Sequence, residues 1–196
     1  MIKPYRFIAN KALDFDGWLA ARRDGVTATQ VGKAATPSGF KEAVAEYRSP
    51  TEIPDNPYMA FGREQEGFVS LWLKEEVGIF PNEWLIGHEE TPQYLATPDG
   101  ISLDHRVISE VKTTGKDWAS YKDVPIHYRR QVQWQLYVTG AEECIFAWLL
   151  RVESGGRFVP GWFEPKTVSV LRDEKEIDKL VEVADRLLLE YRNEGK

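Results

Sequence analysis

Two short segments in the middle of the chain carry residue types that could hold a cation and activate water. Asp99 follows an apolar stretch, residues 94–97, and stands in the turn-forming sequence Pro98-Asp99-Gly100. Eleven residues later, a short apolar segment carries Glu110 and Lys112, which period-2 alternation places on the same face of a strand. Taken singly, each feature is also compatible with an ordinary turn or an exposed ion pair.

A third acid, Glu66, lies in a segment, residues 58–77, whose apolar spacing predicts a long helix. At 3.6 residues per turn, Gly62, Glu66, Val69 and Leu73 fall on one face. A carboxylate on an apolar face is costly unless it is paired, hydrogen-bonded or bound to a metal. We therefore expect Glu66 to lie in line with buried residues, as a metal ligand, as half of a salt bridge or at the boundary of the core.

Together, Asp99, Glu110 and Lys112 form the spacing Pro-Asp…Glu-x-Lys, which is the core of the PD-(D/E)xK motif. Hydrolysis of a phosphodiester requires hard oxygen ligands for Mg²⁺, and paired carboxylates supply them. The metal lowers the pKa of a bound water and neutralises charge that develops on phosphorus. A lysine two residues further on can orient that water or stabilise the oxyanion. The pattern predicts metal-dependent phosphodiester chemistry.

The elements that position these residues follow from periodicity and capping. We predict helices over residues 15–23, 27–35, 40–48, 58–77, 125–139 and 174–193, and strands over residues 84–87, 94–97, 107–113, 144–152 and 157–163. Asp14 or Asp16 caps the first helix, Thr27 caps the second, and Gly78 and Gly140 end two others. This order predicts one α/β (α+β) domain over residues 1–196, with a central mixed β-sheet flanked by helices.

The composition is that of a packed globular protein. Of its 196 residues, 42% are hydrophobic and 12% aromatic. The single Cys144 excludes an internal disulfide, and no apolar run reaches the roughly 18 residues of a membrane helix. The first six residues show no signal-peptide pattern, so we expect a cytoplasmic protein without a membrane partner. A net charge of −6 argues mildly against a nucleic-acid partner, although Arg22-Arg23 and Lys112 with Lys116 form local basic groups.

The chain resembles the lambda-exonuclease-like, YqaJ-type phage recombination exonucleases of the PD-(D/E)xK nuclease superfamily, which have a restriction-endonuclease-like fold. Five segments in family order carry the resemblance. They are residues 22–29 (Arg-Arg-Asp-Gly-Val-Thr-Ala-Thr), 62–66 (Gly-Arg-Glu-Gln-Glu), 97–100 (Thr-Pro-Asp-Gly), 110–112 (Glu-Val-Lys) and 131–140 (Gln-Val-Gln-Trp-Gln-Leu-Tyr-Val-Thr-Gly).

The resemblance implies a role for each matching residue of the metal site. Glu66, Asp99 and Glu110 would be metal ligands, with the backbone carbonyl of Val111 as a further ligand. Lys112 would be the catalytic lysine, acting beside Glu110. The implied cofactor is Mg²⁺, one or two ions per site, for which Mn²⁺ can substitute.

The active-site glutamine would be Gln131. Related helicase-linked nucleases use a Gln-x-x-x-Tyr pattern, which here corresponds to Gln133 and Tyr137. The resemblance therefore leaves two positions open for the glutamine.

The resemblance also implies a site for the end of the DNA. Arg22, Thr27 and Thr29 would bind the 5′ phosphate, and Lys116 would be a further DNA contact. Thr29 stands where the family commonly has Ser, which keeps the hydroxyl but adds a methyl group. Thr27 opens a predicted helix, whose free N–H groups favour an anion, although ordinary helix capping accounts equally well for both threonines.

The function implied by the resemblance is Mg²⁺-dependent 5′-to-3′ degradation of double-stranded DNA from 5′-phosphorylated ends, in phage-type recombination by single-strand annealing. The implied partners are DNA ends, two further copies in a ring-shaped homotrimer, and a phage single-strand annealing protein. Two alternatives remain at this level. One is an endonuclease of the same fold, and the other is a catalytically inert DNA-binding subunit.

Overall fold

The computed structural model describes residues 5–50 and 54–193. Residues 1–4, 51–53 and 194–196 lie outside the described residues. The prediction that the first six residues form no signal peptide therefore falls largely outside them. The helices are α1 (Phe15–Arg23), α2 (Ala28–Ala34), α3 (Pro37–Arg48), α4 (Pro57–Val77), α5 (Ile126–Thr139) and α6 (Glu174–Arg192). The strands are β1 (Tyr5–Asn10), β2 (Val26–Thr27), β3 (Ile79–Pro81), β4 (Trp84–His88), β5 (Tyr94–Ala96), β6 (Gly100–Ser102), β7 (Val107–Thr114), β8 (Glu143–Ser154), β9 (Arg157–Pro160) and β10 (Lys166–Leu171).

The strands form two groups with mixed pairing. One has the order β1-β4-β5-β2, in which β2 and β5 are parallel. The other has the order β10-β8-β7-β6-β3, with β9 paired to β8, and its two longest strands, β7 and β8, are parallel. The predicted mixed sheet flanked by helices is confirmed. Strand β7, which carries Glu110 and Lys112, lies inside the second group and is therefore held on both sides.

The helix boundaries follow the predicted caps. The Asp14 carboxylate accepts a hydrogen bond from the Gly17 amide at the start of α1, as predicted, whereas the cap of α4, Asn56, was not predicted. Gly78 and Gly140 end α4 and α5 in left-handed backbone, with φ of 77° and 66°. Within residues 5–50 and 54–193, no helix is long and apolar enough to cross a lipid bilayer.

Several strands were not expected from the sequence. β1 and β10 are terminal strands of their groups and mostly exposed, so they carry no clear inside-outside alternation. β3 and β6 contain three residues each, too few for a periodic signal. The predicted strand over residues 157–163 stops at Pro160, and the helix predicted from residue 40 begins at Pro37, behind a Thr36 cap.

Strand β7 separates two different environments. Val111 faces α4, where it joins a buried cluster with Val69 and Leu73. Glu110 and Lys112 face the opposite side, which is covered by α5. The predicted alternation along β7 is therefore confirmed.

Candidate active site

Asp99 is held against β7 at the point where β5 gives way to β6. The Asp99 amide donates to the Ser109 carbonyl at 2.9 Å, and the Val111 amide donates to Asp99 Oδ2 at 2.7 Å. The sequence predicts a turn here, and the structure places Asp99 directly before β6. Gly100 makes this possible, because a Cβ at that position would lie 2.5 Å from Ser109 Oγ.

Glu110 is the most deeply buried acid of the site, with 1% of its surface exposed. Its carboxylate accepts hydrogen bonds at both oxygens. Gln131 Nε2 donates to Oε1 at 2.6 Å, and Gln135 Nε2 donates to Oε2 at 2.7 Å. The ammonium of Lys112 also donates to Oε1. A buried carboxylate is stable only when it is bonded in this way.

The charges of Asp99, Glu110 and Lys112 act strongly on one another. Burial, and then repulsion from Glu110, raises the pKa of Asp99 well above its usual range. Burial by itself would lower the pKa of Lys112, but attraction to Glu110 and Asp99 outweighs it and raises that pKa instead. Lys112 is therefore a protonated cation, and its ammonium lies 5.1 Å from the centroid of the Tyr128 ring.

Glu66 does not lie on the buried face of α4, where the spacing of apolar residues in the sequence predicts it. The buried face of α4 consists of Phe61, Gln65, Val69 and Leu73, and Glu66 is one position, or about 100°, away from it. The predicted alignment of Glu66 with the buried face of α4 is therefore wrong. Solvent reaches the residue, yet enough protein surrounds its carboxylate for desolvation to raise its pKa, while the cations Lys11 and Lys112 oppose that effect.

Among the residues that the structure describes, no three His, Cys, Asp or Glu side chains form a ready-made cation site. The physical reason is the placement of the acids. Glu66 comes from α4, which packs on the Val111 face of β7, and the Lys112 ammonium already lies against Glu110. Asp99 and Glu110 are nonetheless two carboxylates near enough to repel each other, and Lys112 is bonded to Glu110. This all-oxygen donor set, with excess negative charge, fits a hard divalent cation.

The structure separates the two candidate glutamines. Gln131 bonds to Glu110, as described above. Gln133 points away from the site: its Nε2 donates to the Leu171 carbonyl at 3.0 Å, and its Oε1 accepts from the Asp173 amide at 2.8 Å. Of the two positions, the geometry favours Gln131. Tyr137, the partner in the alternative pattern, stacks on His88.

The residues predicted to bind a 5′ phosphate line one groove of about 470 Å³, between α1, α2 and α3. Arg22 lies over the Trp18 ring at 4.5 Å, and burial lowers its pKa. Among the described residues, no acid forms an ion pair with Arg22. Thr27 is buried and its hydroxyl donates to Gln30 Oε1 at 2.9 Å, whereas Thr29 is exposed to the groove.

The groove and the carboxylates are joined by the packing of α2 on α5. Gly32 of α2 touches the backbone of α5, since a Cβ there would lie 2.6 Å from the His127 carbonyl oxygen. One turn further along α5, Gln131 bonds to Glu110. Lys116, the other predicted DNA contact, lies outside this arrangement in an exposed turn, where its amide donates to Thr114 Oγ1.

Sequence reasoning missed Gln135 and Tyr128. Gln135 is four residues after Gln131, so helical spacing alone would have placed both on the face that meets Glu110. Tyr128 carries no such signal, because its proximity to Lys112 depends on how α5 crosses β7.

Comparison with solved structures defines the class of fold. LHK-Exo, an alkaline exonuclease from Laribacter hongkongensis, is similar with a TM-score of 0.69 and 24% identity over 90% of this chain and 92% of that one. Its structure in complex with dAMP gives a TM-score of 0.67. A phage-related exonuclease from Haemophilus somnus 129PT gives a TM-score of 0.66 and 16% identity over 85% of this chain and 93% of that one. The fold is therefore the PD-(D/E)xK-like fold of these exonucleases.

The family is shown by the sequence itself. The profile of the YqaJ-like viral recombinase domain matches residues 17–142, well over half of the chain. No curated protein sequence is significantly similar. The protein belongs to the YqaJ-like viral recombinase domain family.

Proposed function

We propose that this protein is a Mg²⁺-dependent 5′-to-3′ exonuclease that degrades double-stranded DNA from 5′-phosphorylated ends in phage-type recombination. The observation that carries the proposal is that Asp99 accepts a hydrogen bond from the Val111 amide of β7, and that the residues on either side of Val111, Glu110 and Lys112, are bonded to each other. The family match and the names of the structural neighbours, which are exonucleases, support the same activity.

Asp99 and Glu110 would hold the cation, with Glu66 and the Val111 carbonyl as further ligands. Mg²⁺, or Mn²⁺ in its place, would supply a water of lowered pKa and neutralise charge on the scissile phosphate. Lys112 stays protonated beside Glu110, so it donates hydrogen bonds to an oxyanion and orients water. Gln131 holds the Glu110 carboxylate and, at 8% exposure, reaches the edge of the site.

The preference for ends rests on the groove. Arg22 is a cation without an acidic partner among the described residues, and Thr29 presents a hydroxyl to the same space. A terminal phosphate carries about one and a half to two negative charges, which a guanidinium binds through two parallel hydrogen bonds. Lys116 would add a contact with the DNA backbone.

An endonuclease of the same fold is the second candidate, because Asp99, Glu110 and Lys112 alone do not distinguish the two. Digestion of linear 5′-phosphorylated duplex beside covalently closed plasmid, in Mg²⁺ and in EDTA, tests both. We expect loss of the linear DNA only, and only in Mg²⁺. Equal loss of closed circles would support the endonuclease, and no hydrolysis of either DNA would support an inert DNA-binding subunit.

A ring-shaped homotrimer around DNA and a phage single-strand annealing protein as partner are part of the same proposal. Both rest on the family to which the chain belongs. Sedimentation of the protein with and without duplex DNA tests the trimer, and co-purification with an annealing protein of the same phage tests the partner.

A further inference from the structure

Gln135 bonds to Glu110 from beneath the candidate active site, and no role for it follows from the motif. We propose that Gln135 is a positioning residue that fixes the plane of the Glu110 carboxylate for cation binding. The inference rests on the proposed function. Gln135 has 1% of its surface exposed, against 8% for Gln131 one helical turn earlier, so it lies behind the site and out of reach of a substrate.

The terminal torsion of a glutamate side chain has a broad, roughly twofold energy profile, so a carboxylate held at one oxygen can still turn. Glu110 is held at both. Gln131 donates to Oε1 at 2.6 Å and Gln135 donates to Oε2 at 2.7 Å. The two donors come from positions i and i+4 of α5, which place them on the same face of a rigid helix. Without Gln135, Oε2 loses its amide donor and the carboxylate is free to turn about Oε1.

The orientation of the Gln135 amide is decided by Glu110. Its NH₂ group meets two acceptors, Glu110 Oε2 and, at 3.4 Å, the Thr97 carbonyl oxygen. The opposite orientation would place the amide oxygen against a carboxylate. As a result, the Gln135 Oε1 is buried without a hydrogen-bond donor among the described residues. Such an acceptor is destabilising, and an apolar side chain would fill the same space without that cost. A glutamine at this position therefore points to the bond with Glu110.

Gln133 provides a matched control on the same helix. It is the same residue type, is also buried, and makes two hydrogen bonds, but both are to residues 171 and 173 and neither is to the site. Replacement of Gln133 therefore removes as many hydrogen bonds from α5 as replacement of Gln135. A purely structural role of Gln135 would make the two substitutions behave alike.

The test compares Gln135→Met and Gln133→Met, since Met has a similar volume and no amide. Mn²⁺ affinity is measured by calorimetry without DNA, and the stability of the metal-free protein by urea unfolding. Residues that orient metal ligands typically change metal affinity about 10- to 100-fold when replaced. We expect Gln135→Met to bind Mn²⁺ at least about tenfold more weakly. Gln133→Met should bind it as the wild type does, while unfolding at lower urea.

Equal Mn²⁺ affinity in Gln135→Met and wild type would overturn the positioning role of Gln135 and leave the proposed function standing. A wild-type protein that binds no Mn²⁺ would overturn the proposed function and this role with it. If Gln135→Met does not fold, Gln135→Asn is compared with Gln133→Asn, because the shorter side chain keeps the amide but withdraws it from Glu110. The same difference in Mn²⁺ affinity is then expected, and its absence would again overturn the positioning role.

Discussion

At the scale of single residues, the candidate site is a group of charges that do not balance. Glu66, Asp99 and Glu110 are three acids whose charges act on one another, whereas, among the described residues, the one ammonium bonded to any of them, that of Lys112, is bonded to Glu110. In the absence of a divalent cation, this excess opposes folding. Residues that bind a cation are often costly to the empty protein, and that cost can be measured.

Asp99→Asn is expected to abolish hydrolysis and to stabilise the cation-free protein. Burial and Glu110 raise the pKa of Asp99 in the folded state, so the unfolded chain releases this proton at lower pH. The free energy of unfolding therefore falls as pH rises from the usual Asp range, near 4, through the raised pKa. We expect Asp99→Asn to be more stable than the wild type at pH 8, with little difference between the two at pH 4.

Urea unfolding in EDTA at the two pH values measures this effect. No gain in stability at pH 8 would mean that the carboxylates do not repel each other in the empty site. Near-normal turnover by Asp99→Asn in Mg²⁺ would exclude Asp99 as a ligand.

Lys112→Ala is expected to lose the chemical step and keep DNA binding. Its ammonium is bonded to Glu110 inside the site, so it is placed to act on water or an oxyanion. Single-turnover cleavage should fall by at least about a hundredfold, with DNA affinity in Ca²⁺ nearly unchanged. Lys116→Ala, in an exposed turn, is the comparison: it should weaken DNA binding modestly and lower the salt slope by about one. Intact cleavage by Lys112→Ala with weakened binding would reduce Lys112 to a phosphate contact.

Residue types and spacing were sufficient to predict that Glu110 and Lys112 share a face of one strand, because strand alternation is independent of tertiary packing. The position of Glu66 beside the buried face of α4, and not on it, could not be predicted in the same way. Helix α4 also has exposed apolar residues, Phe68 and Leu71, so its sequence fits more than one buried stripe. The choice between Gln131 and Gln133 likewise depends on how a helix that is buried on nearly all sides is oriented in the core.

At the scale of elements, the site depends on how α5 lies between β7 and α2. The helices and the long strands were predictable because each carries a full period of its pattern. The three-residue strands and the exposed strands at the ends of the two groups were not, since their pairing is decided by neighbours that are distant in sequence. One of the short strands, β6, fixes Asp99, so the site includes elements that carry no sequence signal of their own.

Gly32→Ala is expected to disturb both the groove and the carboxylates. A Cβ at Gly32 would lie 2.6 Å from the His127 carbonyl oxygen and 3.1 Å from the Gln131 amide nitrogen, so α5 must move. Overpacking of this kind typically costs about 1–3 kcal/mol. Because Gln131 moves with α5, we expect cleavage to fall together with the free energy of unfolding.

Gly67→Ala is the matched control. A Cβ at Gly67 meets nothing within 4 Å on the exposed side of α4, so the change should stabilise the helix by about 0.5–1 kcal/mol and leave cleavage unchanged. If Gly32→Ala is as stable and as active as Gly67→Ala, the close contact of α2 and α5 has no role in either site.

At the scale of the whole molecule, the proposed function assigns the groove of Arg22 and the carboxylate of Glu110 to two positions on one DNA strand. We expect wild-type protein to degrade duplexes with 5′ phosphates roughly 10- to 100-fold faster than those with 5′ hydroxyls, since a charge-assisted contact is worth about 1.5–3 kcal/mol. Arg22→Ala should remove most of this preference without slowing the 5′ hydroxyl duplex.

Initial rates of both proteins on both duplexes give the four values needed. Arg23→Ala, which changes a neighbouring and more exposed arginine of the same groove, should keep most of the preference. Equal rates of the wild type on the two ends would remove Arg22 from phosphate recognition.

The contact of Gly32 with the backbone of α5 has a consequence for the products. Helices that touch through their backbones cannot slide or separate without breaking the core, so the separation of groove and carboxylates is fixed. If the terminal phosphate binds in the groove and the phosphate to be cut lies at the carboxylates, that fixed distance sets how many nucleotides separate the two phosphates. The length of the released fragment would then be set by two helices, and would be the same for every base sequence.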